Sequence, residues 1–167
     1  MTEISNRIIN RSNIISILLI GSIFLIDRFS KIKIINYILS NNNSIYVNNY
    51  LNLDLVWNTG IGFGFLALDG GTLYHLISLI IFIVILGLIF FIIKSSLESE
   101  KFLYSMILGG ALGNFYDRAL YFAVPDFIDI HFNDYHWFTF NIADIFISLG
   151  IILFIVKETI FEKNGKS

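Results

Sequence analysis

The chain has no cysteine, a single proline and few charges. Without cysteine there is no thiol nucleophile, no thiolate metal site, no iron–sulfur cluster and no disulfide. Charged residues make up 14% of the 167 positions, against about a quarter in typical soluble domains. Hydrophobic residues make up 56%, and the mean hydropathy is +0.74. A soluble globule of this size cannot bury so many apolar side chains, so the composition reads as one integral membrane domain. The net charge of −2 gives no basic footprint for nucleic acid, and no nucleic-acid partner is expected.

A membrane-crossing helix needs roughly 20 mainly apolar residues. Gly70 to Ile93 is the one long run free of formal charge. Three shorter runs, Asn13 to Ile26, Phe102 to Tyr116 and Ile145 to Val156, reach that length only if a polar end is included. The pattern predicts an all-α membrane protein with four spans, at about 9–28, 72–93, 101–121 and 137–160. Arg7 and Arg11 before an apolar run imitate a signal peptide, but IDRFSK follows where a small-residue cleavage site would stand, so an uncleaved first span is expected.

Four spans place both termini and the loop Lys94 to Lys101 on one side. All five Glu (3, 98, 100, 158, 162) then fall on that side and all eight Asp (27, 54, 69, 117, 126, 129, 134, 144) on the other. Lys and Arg divide seven to four in favour of the terminal side. Positive charge is retained on the cytoplasmic face, so both termini are expected in the cytoplasm and the aspartates near the outer face. In LNLDLVWNTGIGFGF, apolar residues alternate on both sides of Asn58-Thr59-Gly60. This predicts a small extracytoplasmic hairpin of Leu51 to Trp57 with Ile61 to Phe65, with a further short strand near Ile128 to Phe132. The run Asn41 to Ser44 reads as a loop.

Ionisable groups at membrane depth are costly and usually face a bundle interior or a cavity. Asp27 alone has an ordinary explanation, pairing with Arg28 or Lys31. In GGALGNFYDRAL, Asn114, Asp117 and Arg118 share a helical face. Gly109, Gly110 and Gly113 allow close approach of another helix. An Asp117–Arg118 pair closing the helix is the favoured structural reading. Pro125 suits a stiff bend that aims Asp126, and Asp129 follows three residues on. Asn141 and Asp144 read as neighbours on one face of the last helix.

Two carboxylates brought close together hold one proton between them over a broad pH range. The ionised member can take a proton from attacking water, and the protonated member can polarise a peptide carbonyl. Such a pair needs no metal and no side-chain nucleophile.

Asp27-Arg28-Phe29-Ser30-Lys31, NTGIGFGF, GGALGNFYDR, VPDFID and FNIAD, in this order, resemble the sequence blocks of the lipoprotein signal peptidase (signal peptidase II) family. The resemblance spans residues 27 to about 150. It implies a four-helix inner-membrane aspartic endopeptidase that removes the signal peptide from diacylglyceryl-modified prolipoproteins, cutting just before the lipidated Cys. By motif it implies Asp126 and Asp144 as the catalytic pair and Asn58, Asn114, Arg118 and Asn141 as site support. Asp27, Lys31, Asp117 and Asp129 match positions with more structural roles. The expected partners are the prolipoprotein and membrane lipid. A monomer is expected, with no cofactor and no metal. Two positions depart from the pattern: Pro125 stands where an aliphatic residue is usual, and Gly62 where Ala is common.

Rival classes fit less well. A proton-coupled transporter would spread polar groups through the bilayer depth, whereas these collect at one end. A serine peptidase lacks a G-x-S-x-G, and Ser30 and Lys31 project in different directions on a helix. His131, Asp134 and His136 are loosely spaced for a metal and read as two interface histidines beside an acid. A purely structural membrane protein leaves five polar blocks on one side unexplained.

Overall fold

A computed structural model of the chain describes residues 10–60, 72–133 and 135–164. Helix α1 (Arg11–Asn41) starts at an N-cap, Asn10, whose side chain accepts from Asn13 N at 2.8 Å. Such a cap satisfies one of the orphan donors of a first turn. The helix ends where Asn42 turns left-handed, at φ 52°, and returns its N–H to the Ile38 carbonyl. Strands β1 (Ile45–Asn48) and β2 (Leu51–Asn58) follow. Helices α2 (Thr72–Lys94) and α3 (Glu98–Tyr121) come next. Strands β3 (Val124–Phe132) and β4 (Tyr135–Phe140) lead into α4 (Ile142–Asn164). The chain is therefore mostly helical, with one small antiparallel sheet in the order β1-β2-β3-β4.

α3 is the hub of the bundle and packs against each of the other three helices. Ile85, Leu88 and Ile92 of α2 meet Leu108 of α3, and Ile23 of α1 meets Leu103 and Met106 of α3. The outward faces are apolar: Ile17 is 66% exposed, Leu18 64% and Ile83 58%. An aqueous surface would not carry such a belt, and hydrocarbon would. Among the described residues, Arg11–Asn41 and Tyr74–Lys94 are long and apolar enough to cross a membrane. α3 and α4 have shorter apolar stretches, because α3 carries Lys101, Asp117 and Arg118, and α4 begins with Asp144 and carries Lys157 near its end.

Small residues set the spacing of α3. A Cβ on Gly110 would lie 2.5 Å from the Ala143 carbonyl oxygen and 2.8 Å from Ile147 Cγ1, both on α4. Gly110→Ala is therefore expected to push α4 away and to lower stability by about 1–3 kcal/mol, the usual cost of overpacking. Thermal unfolding in detergent measures this, and an unchanged melting temperature contradicts it.

Four expectations are corrected. α1 does not stop near residue 28 but continues to Asn41, because Arg28 and Lys31 are buried against other helices rather than released to the interface. The last helix does not start at 137. Tyr135–Phe140 is a strand, aromatic-rich and paired to β3, and the helix begins at Ile142. Pro125 does not make a bend. It lies in β3 opposite Trp57, across from an irregularity in β2 between Leu53 and Val56. β2 has β1 and β3 as neighbours, so its hairpin partner is the preceding strand, Ile45–Asn48. The expected partner, Ile61 to Phe65, lies outside the described residues, as does Gly62.

Candidate active site

The polar blocks converge where the sheet meets the ends of the helices. Lys31 is fully buried, and its ammonium donates to three acceptors: Asp27 Oδ2 at 2.8 Å, Asp117 Oδ2 at 2.8 Å and Asn114 Oδ1 at 2.9 Å. An ammonium has three protons, so its donors are fully used. Arg28 Nη1 pairs with Asp117 Oδ1 at 2.6 Å, and its guanidinium lies 5.0 Å from the Tyr116 ring centroid. Two acids and two bases thus balance inside the bundle. The expected Asp117–Arg118 pair is not the arrangement found. Asp117 turns to α1, whereas Arg118 Nη2 donates to the Gly60 carbonyl at 2.8 Å. Arg118 is itself held from behind, because Tyr74 donates its hydroxyl to the Arg118 carbonyl at 3.0 Å.

Asp27 reaches further. Its Oδ1 accepts from Ala143 N in the first turn of α4 at 3.1 Å. A carboxylate there satisfies an orphan donor and complements the positive end of the helix dipole.

Asn141 and Asp144 do not share a helical face. Asn141 precedes the helix and caps it: Oδ1 accepts from Asp144 N at 3.1 Å, and Asp144 Oδ2 accepts from Asn141 N at 3.2 Å. This reciprocal pair has the geometry of a capping box, with Asp in place of Glu. The spacing of three is the sequence signal for such a cap. The Asn141 side chain also donates from Nδ2 to Asp126 Oδ1 at 2.6 Å. One asparagine thus links both aspartates.

β3 sets Asp126 beside the end of β2, where Asn58 pairs with Val124. Asn58 Nδ2 donates to Asp126 Oδ2 at 2.8 Å, while its Oδ1 accepts from Gly60 N at 2.9 Å. Asn114 Nδ2 donates to Asp144 Oδ1 at 2.8 Å. Each carboxylate is therefore fixed by amide donors, and Lys31 fixes which way the Asn114 amide points. Sequence spacing marks the local Asp27–Lys31 pair at i, i+4 but does not display the link from Lys31 through Asn114 to Asp144.

Asp126 and Asp144 line one cavity of about 350 Å³ together with Asn58, Asn114 and Arg118. The other walls are apolar, with Ile80 and Val84 from α2, Ala111 from α3 and Ile147 from α4. Asp126 is 1% exposed. Burial, and after it the charge of Asp144, push the Asp126 pKa up to about 7, against the hydrogen bonds from Asn58 and Asn141, which lower it. Asp129 lies apart from this group, with His136 Nδ1 2.8 Å from its Oδ2.

Residues 19–160 match the family profile described as Signal peptidase (SPase) II. A lipoprotein signal peptidase of Pelagibacter ubique is 40% identical over 160 residues, covering 95% of this chain and 96% of the relative. One from Anaplasma phagocytophilum is 38% identical over 149 residues, covering 89% of this chain and 94% of its own. Among solved structures, a bacterial membrane enzyme determined by the in meso method at 2.3 Å superposes with a TM-score of 0.73 at 30% identity, covering 89% of this chain and 90% of the other. A second, determined at 1.9 Å, gives 0.67 at 31% identity, covering 85% and 90%. Profile, relatives and fold agree, and the chain belongs to the signal peptidase II family of membrane peptidases.

Proposed function

We propose that the chain is an aspartic endopeptidase that cuts diacylglyceryl-modified prolipoproteins immediately before the lipidated Cys, with Asp126 and Asp144 as a catalytic dyad. The observation that carries this reading is the shared cavity: two carboxyl groups at its polar end, apolar helix faces along the rest. An apolar wall suits a signal peptide and acyl chains arriving from the bilayer, and the polar end suits a peptide bond.

The pair shares one proton near neutral pH, and this reading assigns it to Asp126, whose pKa is raised to about 7. Asp144, ionised, takes a proton from a water molecule as the water oxygen bonds to the carbonyl carbon. Asp126 donates its proton to the carbonyl oxygen. The tetrahedral intermediate then collapses: the C–N bond breaks, the proton on Asp144 passes to the leaving amine, and one hydroxyl of the intermediate returns its proton to Asp126 as the C=O bond re-forms. Asn58, Asn114 and Asn141 keep the carboxyl planes oriented. Arg118 holds the Gly60 backbone at the cavity edge. Asp27, Arg28, Lys31 and Asp117 together form the neutral framework behind Asn114 and the start of α4.

The same reading places four spans in the bacterial inner membrane, with both termini cytoplasmic, the dyad near the outer face and the enzyme working as a monomer. The excess of Lys and Arg on the terminal side supports this orientation, and the polar groups support a dyad near one face. Asp27, Asp117, Asp126 and Asp144 gather at one end of the bundle, and Glu100 with Lys157 (2.9 Å apart) lies at the other.

The test is cleavage by the purified full chain of a prolipoprotein peptide with and without the diacylglyceryl group, with the products weighed by mass spectrometry. The lipidated peptide is expected to be cut directly before its Cys and the bare one to resist. Equal cleavage of both contradicts the substrate assignment. The rate is expected to fall as pH rises through about 7, where Asp126 loses its proton. In Asn58→Ala a hydrogen bond favouring the ionised form is gone, so the alkaline fall is expected to move to higher pH. A fall that stays in place, or moves down, contradicts the assignment of that limb to Asp126.

A further inference from the structure

A second cluster of chemistry-bearing side chains lies on the sheet, and the dyad mechanism does not use it. β3 keeps a continuous register against β2 from Val124 to Ile130, with the irregularity confined to β2. Side chains along it therefore alternate strictly, so Asp129 and His131 point to one side and Asp126 to the other. His136 pairs with His131 across the β3–β4 ladder, next to a register shift in β4. The shift lets His136 reach Asp129, two residues away on β3.

The potential ligand atoms of Asp129, His131 and His136 all lie within 4.8 Å of one another. His136 Nδ1 is 2.8 Å and His131 Nδ1 3.7 Å from the same oxygen, Asp129 Oδ2. The two imidazoles stack, with centroids 5.4 Å apart. Asp129 is 4% exposed and His131 9%, yet each carries a buried atom without a hydrogen-bond partner: Asp129 Oδ1 and His131 Nδ1. Unpartnered buried groups of this kind are costly. One Asp–His pair explains the 2.8 Å contact but neither orphan atom. A cation explains all three residues, because it takes the lone pair of an imidazole nitrogen and a carboxylate oxygen at once.

We propose that Asp129, His131 and His136 bind a divalent cation of borderline softness, with Zn²⁺ the best match, between β3 and β4. Two imidazoles and one carboxylate suit zinc, with water in the fourth position. Calcium and magnesium need more oxygen ligands than the cluster supplies. The His136 side chain is 59% exposed and gives access from solvent. The cation has no part in peptide hydrolysis. It pins β4, which runs directly into Asn141 and α4, to β3, which carries Asp126 on its other side. Asp134, grouped with these histidines on sequence alone, lies outside the described residues; Asp129 supplies the acid instead.

Zinc titration of the chelator-stripped, full-length protein in detergent tests the proposal, read by calorimetry and by melting temperature. One Zn²⁺ per chain is expected to bind and to raise the melting temperature, since a ligand held only by the folded state stabilises it. Loss of an outer-shell partner alone lowers metal affinity about 10–100-fold, so His136→Ala is expected to cost at least that and to abolish the thermal shift. His136 is exposed, so its truncation leaves the bundle intact. His75→Ala, at the third histidine of the chain, is expected to bind zinc normally. No binding at millimolar zinc, unchanged binding by His136→Ala, or loss only in His75→Ala overturns the proposal.

Discussion

Asp126→Asn and Asp144→Asn are each expected to lower prolipoprotein cleavage by about 10²–10⁴-fold, the range ordinarily supplied by a positioned acid or base. On the proposed mechanism neither residue works alone. With Asp126 replaced, no proton is held ready for the carbonyl oxygen. With Asp144 replaced, no carboxylate takes the proton from water. The double variant is expected to be no slower than the slower single one, because members of one catalytic unit are strongly non-additive. An asparagine keeps the shape of the side chain but sets its amide NH2 against one of the donors from which each carboxylate accepts, so protein level and melting temperature are measured alongside activity. Cleavage assays in membranes, normalised to protein level, measure the effect. Full activity in either variant removes that residue from the dyad.

Lys31→Met is expected to have the largest effect on stability. It leaves Asp27 and Asp117 facing each other inside the bundle, with Arg28 as the remaining cation, 2.6 Å from Asp117 and 3.6 Å from Asp27. Breaking a buried ion pair by removing one partner costs about 3–5 kcal/mol, because an uncompensated charge is stranded. The substitution also frees the Asn114 carbonyl oxygen, so the amide that donates to Asp144 is no longer held one way round. Turnover should therefore fall in whatever protein folds, with kcat affected more than KM. Adding Asp117→Asn removes one stranded charge and should recover part of the lost stability. Thermal unfolding of the single and double variants decides this. If Lys31→Met melts like the parent, the network contributes little.

How much of this was legible in the sequence depended on whether a residue's partner was local. The apolar runs announced a membrane protein, because hydropathy needs no knowledge of contacts. The ordered blocks bring Asn58, Asn114, Asp126, Asn141 and Asp144 forward as site candidates; four of these line one cavity, and Asn141 is hydrogen-bonded to Asp126 and Asp144. Pairings across elements were hidden. Asp117 sits next to Arg118 in the chain but faces Arg28 and Lys31 in space, because adjacent helical residues point about 100° apart. The end of α1 is hidden for the same reason, since buried basic residues look like interfacial ones until their acidic partners are known. Trp137 to Phe140 reads as the start of the last helix because hydropathy does not distinguish an aromatic strand from the end of a membrane helix. The spacing of three between Asn141 and Asp144 fits a helix cap as well as a shared helical face, and the structure has the cap. The cluster of Asp129 with His131 and His136 depends on a register shift between β3 and β4 that sequence does not display.

The central claim is that one proton resides on this pair near neutral pH, and carboxyl titration of ¹³C-aspartate-labelled protein in detergent by NMR tests it most directly. The account predicts that one of the eight aspartates titrates at about 7, that its signal vanishes in Asp126→Asn, and that it moves to lower pH in Asp144→Asn, where the neighbouring charge is gone. An Asp126 carboxyl that titrates in the ordinary aspartate range, about 3.9, would contradict it.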